Sequence, residues 1–98
     1  DKCILNHASF YKLKIKKTLF KESQLEGVDF AECDLTESVF EDCNLLGAVF
    51  DATIIEKSDL RTSYNYSIDP DKNRIRKARF SVSGISGLLD KYDIEIEN

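Results

Sequence analysis

Few residues in this chain could do chemistry: one histidine, three cysteines and the carboxylates of eighteen Asp and Glu. His7 is the only imidazole, and it falls at a variable position of a repeat, so Ser-His-Asp or Cys-His activation has no well-placed base. Zinc ligation by a Cys/His set fails on the same shortage. Paired carboxylates are plentiful: Glu41-Asp42, Asp34 with Glu37, and Asp29 with Glu32. Acid–base work needs such pairs in a pocket that separates their pKa values, and these sit in outward positions. Gly84-x-x-Gly87 has no lysine and follows no parallel-sheet strand, so it does not read as a phosphate cradle. Asn65-Tyr66-Ser67 fits a glycosylation sequon, which matters only in a secreted eukaryotic protein. No catalytic, cofactor or metal residue is expected.

The elements that position these side chains follow from a five-residue period. Positions 5 to 60 in steps of five read Leu5, Phe10, Ile15, Phe20, Leu25, Phe30, Leu35, Phe40, Leu45, Phe50, Ile55 and Leu60. Neither an α-helix, with period 3.6, nor a flat strand, with period 2, asks for this. Two residues before each stands a small or β-branched residue, from Cys3 to Ser58, with Leu13 the exception. The other positions are mostly polar or charged. A unit this short cannot bury its apolar residue alone, so neighbouring units must stack.

Ser23-Gln24-Leu25, Val28-Asp29-Phe30, Cys33-Asp34-Leu35, Cys43-Asn44-Leu45 and Ser58-Asp59-Leu60 carry a resemblance to the pentapeptide-repeat family, whose consensus is Ala-(Asp/Asn)-Leu-x-x. The resemblance implies an all-β fold, a right-handed quadrilateral parallel β-helix with four units to a coil. Residues twenty apart then stack: Leu5–Leu25–Leu45, Phe10–Phe30–Phe50, Ile15–Leu35–Ile55 and Phe20–Phe40–Leu60. Phenylalanine fills two opposite columns at the rung spacing of ~4.8 Å. Cys3 and Cys43 share a column at ~9.6 Å, beyond the roughly 7 Å reach of a disulfide. Three free, buried thiols and a reducing compartment are therefore expected.

The chain reads as a single domain over 1–98, with regular coils over 1–62. Residues 63–80 form a distorted fourth coil, in which Asp69-Pro70-Asp71 turns outward and Ile75 and Phe80 return to the columns. Residues 83–92 read as a short C-terminal α-helix with Ser83 as N-cap, since Ile85, Leu88, Leu89 and Tyr92 have helical spacing. This tail resembles that of the quinolone-resistance type of pentapeptide proteins. The resemblance implies a homodimer through Ile85, Leu88, Leu89 and Tyr92. A start at Asp1, already in the repeat, reads as a fragment of a longer chain.

No apolar run approaches the ~20 residues of a membrane span, and no signal-peptide pattern appears. Five Lys against Asp1 make residues 1–20 basic, eleven acids against Lys21 and Lys57 make 21–60 acidic, and the net charge is −4. Lys12, Lys14, Lys16 and Lys17 flank this acidic belt on one side and Arg74, Arg76 and Lys77 on the other. A rod with regular carboxylates can imitate the charge of duplex DNA; the resemblance implies this toward DNA gyrase and topoisomerase IV. Outward apolar residues mark a second surface, with Leu19 and Val39 on one side and Leu46, Val49 and Ile54 elsewhere. The expected function is a non-enzymatic, rigid protein-interaction scaffold, cytoplasmic and bacterial by resemblance, with DNA mimicry as the alternative. The expected partner surface is Leu19, Val39, Asp29, Glu32, Glu41 and Asp42, with no direct nucleic acid and no membrane.

Overall fold

The computed structural model describes residues 3–97. Every β-bridge among them joins residues twenty apart, in parallel. The bridges form four ladders in chain order: Ile4–Gln24–Asn44–Tyr64, Ser9–Asp29–Val49, Lys14–Asp34–Ile54–Arg74, and Leu19–Val39–Asp59–Arg79. Only the fourth is long enough to give named strands, β1 (Leu19–Lys21) and β2 (Val39–Glu41). The chain is thus a parallel solenoid that climbs one rung every twenty residues.

Each rung is tied to the next along the axis. The Leu5 amide donates to the Gln24 carbonyl at 2.9 Å, and the Gln24 amide donates back to the Cys3 carbonyl at 2.8 Å. The corners take part as well, because His7 donates to Glu26, Lys12 to Ala31 and Lys17 to Thr36. A corner amide points along the axis only if its residue has positive φ, and His7 (64°), Lys12 (62°) and Lys17 (55°) all do. This conformation costs an L-residue roughly 1–2 kcal/mol. Glycine meets it without strain at Gly27 and Gly47.

The periodic residues build the core. Leu25, Phe30, Leu35, Phe40, Leu45, Ile55 and Leu60 are fully buried, and Phe50 nearly so. Phe10 stacks on Phe30 at 5.5 Å between centroids, Phe30 on Phe50 at 5.4 Å, and Phe20 on Phe40 at 4.8 Å. The two phenylalanine columns also meet edge to face: Phe10–Phe20 at 6.3 Å, Phe20–Phe30 at 6.1 Å and Phe30–Phe40 at 5.8 Å. Both arrangements suit the ring quadrupole. Leu5, Phe10, Ile15 and Phe20 in the first coil, and Ile75 and Phe80 in the last, are only half-buried, because each has a neighbouring coil on one side.

The small positions hold polar hydrogens as well as space. Ser38, Ser58 and Ser63 hydroxyls donate to the carbonyls of Ile15, Leu35 and Phe40, each 23 residues earlier. Thr53 does the same to Phe30, and the Cys33 and Cys43 thiols to Phe10 and Phe20. Most corners close by a bond from residue i to the carbonyl of i−3, such as Ala8 to Leu5. Thr18, Cys43 and Thr53 instead donate to Ser38 Oγ (3.2 Å), Ser63 Oγ (3.1 Å) and Asn73 Oδ1 (2.9 Å) in the coil above. One buried side chain thereby satisfies two backbone groups of the rung below.

The fourth coil departs from the ladders after Tyr64. Pro70 stands where the second column would continue, and no amide is available there for a ladder. Tyr66 and Ile68 turn inward instead, at 4% and 1% exposure. The Tyr66 ring lies 5.7 Å from that of Phe80. Asp69–Lys72 closes a turn, and Asn73 ties it down by donating to Phe50 O at 3.0 Å and Asp69 O at 2.9 Å. The chain regains the ladders at Arg74 and Arg79.

The expected C-terminal α-helix over 83–92 is not what forms. Residues Val82–Leu88 and Asp90–Tyr92 are two 3-10 helices, and the N-cap is Ser81, not Ser83; Ser81 Oγ accepts from the Gly84 amide at 3.2 Å. A three-residue turn eclipses positions i and i+3, which sets Gly84 and Gly87 on one side, against Tyr66. A Cβ on Gly84 would lie 2.2 Å from the Tyr66 hydroxyl, and one on Gly87 would lie 2.2 Å from the Tyr66 carbonyl oxygen. The Ile68 amide donates to the Gly87 carbonyl at 2.9 Å. Two glycines, two serines and a valine within seven residues also have little α-propensity.

Ser38 offers a clean test of the small positions. Ser38→Ala keeps the volume but strands the Thr18 amide and the Ile15 carbonyl. Urea unfolding should show a loss of about 1–3 kcal/mol, against a change near zero for exposed Ser67→Ala.

Candidate functional site

The expected partner surface divides in two. Leu19, Val39 and Glu41 lie on the fourth ladder and Asp42 at the corner after it; Asp29 lies on the second ladder and Glu32 at the corner after that. A ladder stands between the two groups in either direction, so the six residues do not form one surface. Leu19 is 57% exposed and Val39 half-buried. Above them the same ladder turns charged, with Asp59 and Arg79. Glu37, Val39, Lys57, Asp59, Lys77 and Arg79 line an open groove of about 460 Å³ there.

The acidic belt is laced to cations. Lys16 pairs with Asp34 at 3.5 Å, Lys21 with Glu41 at 3.8 Å and Arg74 with Glu56 at 3.2 Å, each across one rung. Arg61 grips Asp59 with two nitrogens, Nε at 3.0 Å and Nη2 at 2.8 Å. The Tyr11 hydroxyl donates to Glu32 at 3.1 Å, and Asp29 accepts from the Ala31 amide at 2.8 Å. Twenty-residue stacking converts basic first and fourth coils into counter-charges for the acidic coils between them. Linear charge counting could not show this. Exposed pairs of this kind are individually worth little, and they pair four of the belt's eleven acids, Asp34, Glu41, Glu56 and Asp59, with cations.

Of the four residues expected at a dimer contact, Leu88 packs against the core and Leu89 is half-buried. Ile85 (48%) and Tyr92 (55%) remain exposed, joined by Val82 at 90%. Lys91 pairs with Asp69 at 3.1 Å and with Asp71, which clamps the C-terminal segment to the Asp69–Lys72 turn. Both carboxylates raise the Lys91 pKa, with Asp71 the stronger. Tyr66 is the buried residue out of phase with the five-residue period; Ile68 and Asn73 keep the phase of the small positions, ten and fifteen residues after Ser58, as larger side chains. The signal for Tyr66 is the two-residue alternation of Tyr66-x-Ile68.

His7 is exposed and lies over Gly27, where an added Cβ would meet its Nδ1 at 2.5 Å. Among the described residues no group of three or more His, Cys, Asp or Glu could hold a metal ion. No helix among them is long and apolar enough to cross a membrane. The cysteines are free thiols, as the column map expects for the described positions, but Cys3 is exposed rather than buried, since no described coil covers it from below.

Burial raises the Cys33 and Cys43 thiol pKa values, and Cys3 lies open. An aromatic disulfide reagent at neutral pH should label one thiol quickly and two only at the rate of unfolding; three fast thiols would contradict the buried columns. Acid should act through Asp59 and Asp34. The Arg61 hydrogen bonds hold the Asp59 carboxyl below its ordinary value. At Asp34 burial pushes the pKa up, but bonds from Thr36 and Lys16 outweigh it. Carboxylates with depressed folded pKa values stabilise above the unfolded value and lose that contribution as pH falls. Thermal melts should be flat near neutrality and fall below about pH 4, with a shallower fall in Asp59→Asn.

Comparison with known proteins agrees with this architecture. Residues 23–62 match the model for pentapeptide repeats, in eight copies. No curated protein matches the chain. Among solved structures, full-length QnrB1, a plasmid-mediated fluoroquinolone resistance protein, aligns with TM-score 0.77 at 18% identity, covering 93% of this chain and 43% of that one. A trypsin-treated form of QnrB1 aligns with TM-score 0.76 at 17% identity, over 96% and 45%. Rfr23, a pentapeptide repeat protein of the cyanobacterium Cyanothece 51142, aligns with TM-score 0.50 at 15% identity, over 83% and 58%. The chain spans less than half the length of the QnrB1 chains, and likeness at this identity concerns the fold alone. Repeats, ladders and columns together make this chain a β-helix solenoid whose residues 23–62 match pentapeptide repeats.

Proposed function

We propose that the chain is a rigid, non-enzymatic protein-interaction scaffold: a single domain over 1–98, wound as a right-handed quadrilateral β-helix and working in the reducing bacterial cytoplasm. The observation that carries this reading is the fourth ladder. Its outward positions run from apolar (Leu19, Val39) to charged (Asp59, Arg79), beside an open groove, on a backbone bonded at every rung. Such a surface offers area and charge to a protein partner and no enclosed site for a small substrate. Two buried thiols suit a reducing compartment.

A second reading is DNA mimicry toward gyrase or topoisomerase IV, favoured by the likeness of fold to QnrB1. The lacing of Asp34, Glu41, Glu56 and Asp59 to cations weakens it, because a DNA-like field needs unneutralised carboxylates. One pair of measurements separates them. In a supercoiling assay, the scaffold reading expects no relief of quinolone inhibition of gyrase and no binding to the enzyme; dose-dependent relief would establish mimicry. In bacterial cells, a photo-crosslinking residue at position 19 or 39 should trap one partner band that position 11 does not. Absence of any position-dependent band would count against the fourth ladder as the contact.

A further inference from the structure

The corner between the third and fourth ladders collects cations that the chain itself does not use. Lys57, Arg76, Lys77 and Arg79 are all exposed. Among the described residues none of them forms an ion pair. The nearest acids are already taken. Both carboxylate oxygens of Asp59 accept from the Arg61 guanidinium, at 3.0 and 2.8 Å. Glu56 accepts from Arg74 Nε at 3.2 Å. Arg79 therefore stands one rung from Asp59 on the same ladder without gaining it as a partner.

The backbone holds this cluster together. Lys57 and Lys77 share one corner column, both with positive φ, 59° and 61°, and stand one rung or ~4.8 Å apart. The Lys57 amide donates to the Arg76 carbonyl at 3.1 Å, and the Leu60 amide to the Arg79 carbonyl at 2.8 Å. Like charges stacked this closely repel, and among the described residues no carboxylate lies within ion-pair reach to offset it. Two open grooves meet here. The groove beside the fourth ladder adjoins a second of about 260 Å³, lined by Glu56, Lys57, Arg76 and Lys77, so Lys57 and Lys77 form the wall between them. The lower end of the first groove is apolar at Val39, with Leu19 one rung beneath. Val39 and Arg79 are two rungs or ~9.6 Å apart, which about three extended residues span.

We propose that this corner seats an extended acidic segment of a protein partner, with an apolar residue on Val39 and carboxylates beyond it against Lys57, Lys77 and Arg79. This rests on the scaffold reading and names the chemistry of its partner. Charge complementarity carries it, because these cations lack carboxylates of their own on a chain whose net charge is −4. A nucleic acid fits this surface less well. Duplex DNA carries a charge every ~1.7 Å of its axis, and its backbone would run past the short patch onto the acidic coils below. A segment with a few carboxylates ends where the cations end, and its apolar residue finds Val39. Exposed charge pairs are singly weak, which makes the contact transient and sensitive to salt.

Fluorescence anisotropy of the full chain at low salt tests this, with a labelled peptide that carries a valine followed by a run of glutamates. The peptide should bind, and its glutamine counterpart should not. Lys77→Glu with Arg79→Glu should weaken binding about tenfold with an unchanged circular dichroism melt, and should gain affinity for a lysine version of the peptide. Lys12→Glu with Lys14→Glu makes the same change of net charge elsewhere and should leave binding as it is. Three results would overturn the proposal: no binding of the acidic peptide, equal loss in the two double variants, or tighter binding of a DNA duplex than of the peptide. Photo-crosslinking from position 39 in cells separates this inference from the scaffold reading. A partner band that survives Lys77→Glu with Arg79→Glu would keep the scaffold and overturn the acidic seat. Peptide binding that depends on these cations, with no band at position 39, would keep the seat and count against the scaffold contact.

Discussion

The backbone hydrogen bonds that join one coil to the next run along one axis, and nearly everything else follows from that constraint. A corner can join the axial ladder only if its amide points along the stack. That demands positive φ at residues as ordinary as Lys57 (59°) and Glu37 (60°). Strain that glycine would avoid is accepted at many corners, because most such amides gain an acceptor in the next rung, as Glu37 does from the Glu56 carbonyl at 3.0 Å and Asp42 from the Thr62 hydroxyl at 3.0 Å. Rotation of one coil relative to the next would break bonds on all four sides together. Registration at twenty residues is therefore enforced by the backbone, and side chains must suit the columns that result.

Columns then select for self-complementary side chains. Phenylalanine stacks on phenylalanine at 4.8–5.5 Å and meets the neighbouring column edge-on. Aliphatic residues fill the other two columns. At the small positions the hydroxyls and thiols do more than spare room: they reach carbonyls 23 residues earlier that the ladders leave with a free lone pair. A narrow, dry interior makes each such bond expensive to lose. The interior is thus fully committed to holding the rod together, and the outward positions are left to meet partners.

Both ends depart from the regular pattern, for opposite reasons. At the far end Pro70 interrupts the second column, Tyr66 and Ile68 replace it, and a glycine-faced 3-10 segment closes over Tyr66. Lys91 then fastens that segment to Asp69 and Asp71. At the near end the apolar side chains of the first coil are half open, ringed by lysines. A basic first coil, acidic coils after it and acidic residues at 93–97 give the described residues an order of charge that the net charge of −4 conceals.

The sequence by itself determined which periodic residues face inward and that the units stack as a solenoid, while the four columns came from the resemblance to pentapeptide repeats. In a stacked repeat, the direction of a side chain depends on its place in a five-residue unit, which is a local property. Leu25, Phe30 and Leu35 were legible on that ground alone. The tertiary structure alone decided how each corner is closed, that Ser38 and Asn73 serve the rung below, and that acids of the belt are paired with Lys16, Lys21 and Arg74. It also decided that the C-terminal segment winds with three residues per turn, since Gly84 and Gly87 must both clear Tyr66. Those outcomes depend on contacts between residues eighteen to twenty-three apart, or on the fit of one segment against another. Neither is written in the periodicity, which records only what every unit has in common.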